Sequence, residues 1–160
     1  MATVYVGLGS NIEPEANLQL GIAELRRRYG HVDVSAVFRS RAVGFDGDDF
    51  LNLVACFKSE SEPAEICEAI AAMHDLAGRD RHGGKWESRP LDIDLLLYND
   101  RVMDEPQVPR EDVLEYSFVL RPLAELAPAL MHPLTGRTML EHWQEFDASR
   151  HPLEVVDVAL

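Results

Sequence analysis

Between Thr3 and Leu8 apolar side chains fall on every second residue, with Val4, Val6 and Leu8 on one face, which predicts a strand. Gly9, Ser10 and Asn11 then predict a turn, and Pro14 the opening of a helix on which Leu18, Ile22, Leu25 and Tyr29 recur at helical spacing up to a C-cap at Gly30. Alternation returns from His31 to Arg39 through Val32, Val34, Ala36 and Phe38. After a loop with Gly44 and Gly47 it returns again from Phe50 to Lys58, and the two segments are expected to pair as a long-looped hairpin. Pro63 opens a second helix with Ile66, Cys67, Ile70 and Met73 along one side, and Gly78 closes it. The apolar run Leu91 to Tyr98 predicts a further strand. The order β-α-β-β-α-β is the split βαβ of an α+β, ferredoxin-like fold, an antiparallel sheet with both helices packed on one face and the other face open to ligands or further elements. Beyond Asn99 a loop with Pro106 and Pro109 precedes a helix expected to start near Glu111 and another around Thr138 to Phe146, C-terminal additions that would cover the sheet.

A chain of 160 residues is expected to form one domain, residues 1–160. Lys and Arg number 15 against 28 Asp and Glu, a net charge of −13 that argues against a general affinity for nucleic acid or anionic lipid. Cys56 and Cys67 give neither a metal-ligand spacing nor a disulfide framework, and the histidines show no zinc pattern, so a reducing, cytoplasmic setting is expected. No long apolar run predicts a membrane span. An edge strand would allow a dimer, but nothing in the pattern demands one, and a monomer is expected.

Against this acidic background Arg79, Arg81, Lys85 and Arg89 cluster in one glycine-bearing segment that runs into Asp92 and Asp94. Side chains two apart on a strand share a face. Two carboxylates roughly 6 Å apart repel by about 2 to 3 kcal/mol at an effective dielectric near 20, so the pair needs a positive partner. Oxygen-only donors favour a hard divalent ion such as Mg²⁺, which takes one or two carboxylates plus substrate phosphates, while guanidinium forks suit the remaining phosphate oxygens. The segment therefore points to a polyphosphate. No dinucleotide fingerprint or P-loop occurs. Phe50 and Asn52 share a face of their strand, so an aromatic and an amide could hold a flat heterocycle.

The stretch KWESRPLDIDLLLY, residues 85–98, closely resembles the signature of the 6-hydroxymethyl-7,8-dihydropterin pyrophosphokinase family, and VGLGSN, FLNLVACF and FVLRPLAELAP extend the resemblance over roughly residues 3 to 145. It implies Mg-dependent transfer of pyrophosphate from ATP to a reduced pterin alcohol in folate biosynthesis, giving AMP and the pterin diphosphate. By family position Asp92 and Asp94 would hold a pair of Mg²⁺ ions, with Arg79 and Arg89 balancing charge on the phosphates. Ser40, Val43, Phe50, Asn52 and Phe118 would hold the pterin, and Arg81, Trp86, Leu95 and Arg110 would join Arg79 and Arg89 around ATP. Four positions depart from the family's habit: Arg110 stands for a histidine, Tyr116 for a basic residue, His74 for a glutamate and Arg41 for a proline. They leave open a diverged paralogue that binds pterin or nucleotide without turnover, or a pyrophosphokinase with an altered acceptor.

Overall fold

The first strand is longer than its apolar alternation predicts. In a computed structural model that describes residues 1–41, 47–78, 90–149 and 152–160, β1 spans Ala2–Ser10. Gly9 is thus a strand residue, and the expected turn begins only after Ser10. Helix α1, Pro14–Tyr29, buries Leu18, Ile22 and Leu25, and Gly30 closes it with φ 82° while its N–H bonds to the Arg26 carbonyl. Then come β2 (Val32–Val34), β3 (Val37–Ser40), β4 (Phe50–Ser59), α2 (Pro63–Leu76) and β5 (Asp92–Tyr98).

The main sheet runs β5-β1-β4-β3-β8, with β2 also on β4 and every neighbouring pair antiparallel. The last strand, β8, is Glu154–Val156. This is the predicted ferredoxin-like order, in which β1 and β4 form the centre. Val4, Val6 and Leu8 of β1 and Leu51, Leu53, Ala55 and Phe57 of β4 pack with α1 and with Ile66, Ile70 and Met73 of α2 in one core. Gly21 lets α1 approach closely: a Cβ there would lie 2.9 Å from Leu8 Cδ2.

Two irregularities shift side chains between faces. The sequence predicts one continuous strand across Val32 to Phe38 on a single face, but the register passes from Val34↔Ala55 to Phe38↔Asn52. One extra residue therefore sits opposite Val54, which defines a β-bulge. Ser35 holds it, its N–H donating to the Val54 carbonyl and its Oγ accepting from the Val54 N–H, each at 2.9 Å. The bulge puts Ala36 in solvent, leaves Val37 in the helix-side core and turns Phe38 to the opposite face, under the Arg121 guanidinium at 4.7 Å. In β5 the pairing steps from Val6↔Leu95 to Tyr5↔Leu97, so Leu96 is the extra residue. Leu95 faces the helices, whereas Leu96 and Leu97 both join the second core.

That second core covers part of the opposite face, as expected of the C-terminal additions. After the small β6 (Met103–Asp104) and β7 (Gln107–Val108) pair, helices α3 (Asp112–Glu115), α4 (Ser117–Leu126) and α5 (Met139–Glu145) lie over Tyr5, Val54, Leu96 and Leu97. The helix expected from Glu111 is interrupted, since Tyr116 is extended at φ −120°, ψ 132°. Thr138 opens α5 by accepting the Glu141 N–H at 3.1 Å. Among the described residues no helix is long and apolar enough to cross a membrane.

Candidate active site

The part of that face that no described helix covers carries the polar residues of the sheet centre. Asn52 of β4, Gly9 of β1 and Asp92 of β5 are consecutive cross-strand partners, and one step along Gly7 pairs with both Val54 and Asp94. At strand spacings near 4.8 Å, Asn52 and Asp92 are about 10 Å apart with only glycine between them. The floor of the groove is therefore bare backbone. A Cβ on Gly9 would lie 3.1 Å from Asn52 Oδ1 and 3.7 Å from Phe50 Cδ1, so the glycine is what leaves those side chains their room.

On one side Asn52 is buried and donates through Nδ2 to Ser40 Oγ at 2.7 Å and to the Phe38 carbonyl at 3.4 Å. Its amide nitrogen is thereby fixed, and the opposite atom, Oδ1, turns toward Gly9 as an acceptor with no donor among the described residues. Phe50 is half-buried beside it. Phe118, also half-buried, opens α4 and stacks on Tyr116 at 4.9 Å. The bulge at Ser35 is what brings Ser40 and Phe50 opposite one another.

On the other side Asp92 and Asp94 project from the start of β5, their side chains 27% and 33% exposed. Each has a basic residue nearby. Arg110 Nη2 lies 3.5 Å from Asp94 and its Nε 3.2 Å from Asp112. The Arg110 N–H also donates to the Leu96 carbonyl at 2.9 Å, fastening this segment to the outer edge of β5. Burial works against the guanidinium charge, but Asp94 and Asp112 outweigh it and hold the Arg110 pKa above its ordinary value. His74, in the last turn of α2, accepts the Ile93 N–H through Nε2 at 2.9 Å, with the same nitrogen 4.0 Å from Asp92 Oδ1.

The end of β1 ties the site to its flanks. Ser10 Oγ hydrogen-bonds to the Pro90 carbonyl, and Asn11 Nδ2 donates to the Asp48 carbonyl at 3.2 Å. Of the residues singled out from sequence, Ser40, Phe50 and Asn52 meet in one place, and Asp92, Asp94 and Arg110 in another across the glycine floor. Leu95 packs in the helix-side core, on the opposite face of β5 from Asp94. Val43, Arg79, Arg81, Trp86 and Arg89 lie outside the described residues. Sequence reasoning passes over Gly7, Asp112 and the Ile93 contact of His74. The glycines do carry a signal, since both fall on the parity opposite Val4, Val6 and Leu8.

Two oxygen-only carboxylates on one strand face, partly open to solvent, fit a hard divalent ion better than a soft one. No group of three His, Cys, Asp or Glu side chains among the described residues could hold a metal, and such a pair of carboxylates can share an ion with substrate oxygens and water. That is how Mg²⁺ is usually bound beside phosphates.

A family model described as 7,8-dihydro-6-hydroxymethylpterin-pyrophosphokinase matches residues 5–128. The 2-amino-4-hydroxy-6-hydroxymethyldihydropteridine pyrophosphokinase of Synechocystis is 36% identical over 150 residues, covering 90% of this chain and 76% of that protein. The protein of the same name from Aquifex aeolicus is 34% identical over 145 residues, 88% of this chain and 90% of its own. The crystal structure of wild-type Plasmodium falciparum HPPK-DHPS with pterin and p-hydroxybenzoate matches 93% of this chain with a TM-score of 0.74 at 13% identity. The chain spans 43% of that longer protein's length, and at this identity the likeness speaks for the fold.

Proposed function

The chain belongs to the 7,8-dihydro-6-hydroxymethylpterin-pyrophosphokinase family, and we propose that the groove over Gly7 and Gly9 is where it carries out that family's reaction. It is an ATP-dependent diphosphotransferase of folate biosynthesis, moving pyrophosphate from ATP to the hydroxymethyl group of a dihydropterin. The observation that carries the assignment of the site is the line Asn52–Gly9–Asp92, which sets a heterocycle-binding amide and a carboxylate pair at opposite ends of one strip of glycine backbone.

Asn52 Oδ1 accepts from the N–H groups of the pterin's pyrimidine edge, with Ser40 and Phe38 fixing the amide rotamer. Phe50 and Phe118 supply aromatic faces for the bicycle. The pterin's hydroxymethyl group then points along the floor toward Asp92 and Asp94. Its oxygen attacks Pβ of ATP, the bond between Pβ and the bridging oxygen to Pα breaks, and AMP leaves while the hydroxyl proton passes to solvent or a phosphate oxygen. Asp92 and Asp94 would hold Mg²⁺, which when bound would neutralise phosphate charge and align the polyphosphate. Arg110, held charged, faces the same phosphates and supplies fixed positive charge. Arg79, Arg81, Trp86 and Arg89 would complete the ATP side, as would Leu95 through its backbone, and Val43 the pterin side. Transfer of this kind rests on alignment and charge neutralisation, so no strong protein base is required.

The reaction proceeds in the cytoplasm in a monomer of one domain. The test is AMP release from MgATP with and without 6-hydroxymethyl-7,8-dihydropterin, in wild type and Asp94→Asn. AMP is expected only with the pterin, and its rate should fall on the order of 10²- to 10³-fold in the variant. Pterin-independent AMP release, or full activity of the variant, would refute the assignment.

A further inference from the structure

We infer that His74 is a positioning residue for the carboxylate pair, holding β5 in the register that presents Asp92 and Asp94 together. The inference rests on the reading of that pair as the metal site. Along a strand, successive N–H groups point to alternate sides. Asp92 and Asp94 flank Ile93, whose N–H is turned away from β1 and taken by His74 Nε2 at 2.9 Å. Among the described residues β5 is the edge of its sheet, so no described strand receives this amide. Left unbonded, the start of β5 could twist or fray, and both carboxylates would move with it.

The chemistry of the imidazole makes the contact specific. An Nε2 that accepts an N–H directs its lone pair there. The same lone pair is therefore not available for coordination, although it lies 4.0 Å from Asp92 Oδ1. His74 acts on the ion through the backbone, as outer-shell partners of metal ligands do. Its side chain, 13% exposed, is carried by the last turn of α2, whose Ile66, Ile70 and Met73 are anchored in the helix-side core. The anchor is consequently rigid, and the edge of the sheet is fixed from a helix rather than from another strand.

The test compares His74→Leu, which cannot accept, with His74→Gln, which can through its side-chain carbonyl. Binding of Mn²⁺ in the presence of α,β-methylene ATP is followed by electron paramagnetic resonance, and exchange of the Ile93 amide by NMR. His74→Leu should lose Ile93 protection and bind Mn²⁺ roughly tenfold more weakly, with pterin affinity unchanged; His74→Gln should retain both within about twofold. A His74→Leu protein that loses Ile93 protection yet binds Mn²⁺ as wild type overturns the inference, as does one whose Ile93 amide stays protected. If the leucine variant does not fold, weak Mn²⁺ binding by a folded, Ile93-protected His74→Gln protein overturns it equally, and wild-type binding supports it. Asp94→Asn is the control. Unchanged Mn²⁺ binding there would remove the metal reading itself, and the inference with it, whereas failure of the His74 pair alone leaves that reading standing.

Discussion

At the scale of single residues, the feature with the sharpest consequence is a missing side chain. Gly9 adopts ordinary strand geometry, so its requirement is for space: a Cβ 3.1 Å from Asn52 Oδ1 forces the amide aside. Gly9→Ala should fold normally and raise the pterin KM about 3- to 10-fold, with the ATP KM changed little; steady-state kinetics with each substrate varied would show the split, and equal effects on both would argue against the placement of the pterin. His132 carries a pH-dependent contribution to stability. It is 3% exposed, its Nδ1 accepts the Leu134 N–H at 3.2 Å, and burial, then His142, hold its pKa below the ordinary 6.5. The unfolded chain therefore takes up this proton first as pH falls. The contribution is intact above about 6.5 and is lost progressively below it. Urea midpoints at pH 7.5 and 5.5 should differ less in His132→Gln than in wild type.

At the scale of elements, the bulge at Ser35 decides which residues reach the site. Both Val54 backbone groups are bound to this one serine. Ser35→Ala leaves a buried N–H without its acceptor and should cost about 1 to 3 kcal/mol in urea unfolding, together with a weaker pterin affinity, since Phe38 and Ser40 set the rotamer of Asn52. A loss of stability with no change in pterin binding would detach the bulge from the site. The alternation of Val32, Val34, Ala36 and Phe38 reads as unbroken because each residue is apolar, and nothing local marks the extra one; the bulge emerges only from pairing with β4. The helices, by contrast, announce themselves through Pro14, Gly30 and Pro63 at their ends. On β5 the shared face of Asp92 and Asp94 follows from spacing two, but their basic neighbours do not. Arg110 arrives from a segment without periodicity, and His74 from a helix whose apolar stripe says nothing of its polar side. The break at Tyr116, where the ring stacks on Phe118 instead of extending α3, likewise has no mark in the apolar pattern.

At the scale of the molecule, the order of the six central elements is legible because each change of period coincides with a proline or glycine. In the C-terminal part the helix around Thr138 to Phe146 is legible but the packing is not, since it is dictated by the Tyr5, Val54, Leu96 and Leu97 surface it covers, and no period encodes that fit. The strand β8 belongs to this illegible part, and it has a bearing on how the protein behaves in concentrated solution. By bonding to Val37–Arg39 it occupies hydrogen-bonding groups that would otherwise line an open sheet margin, and at three residues it offers little margin of its own. Gln19 Nε2 reaches the Ala159 carbonyl at 2.9 Å, and Val158 and Leu160 pack on the helix-side core, so the strand is held from beyond its end as well. A chain cut after Pro152 should keep its groove and much of its activity while acquiring concentration-dependent self-association, visible in sedimentation velocity and absent from the full chain. Residues 153–160 are in that sense a colloidal safeguard, a short tail that keeps an enzyme sheet from finding another copy of itself.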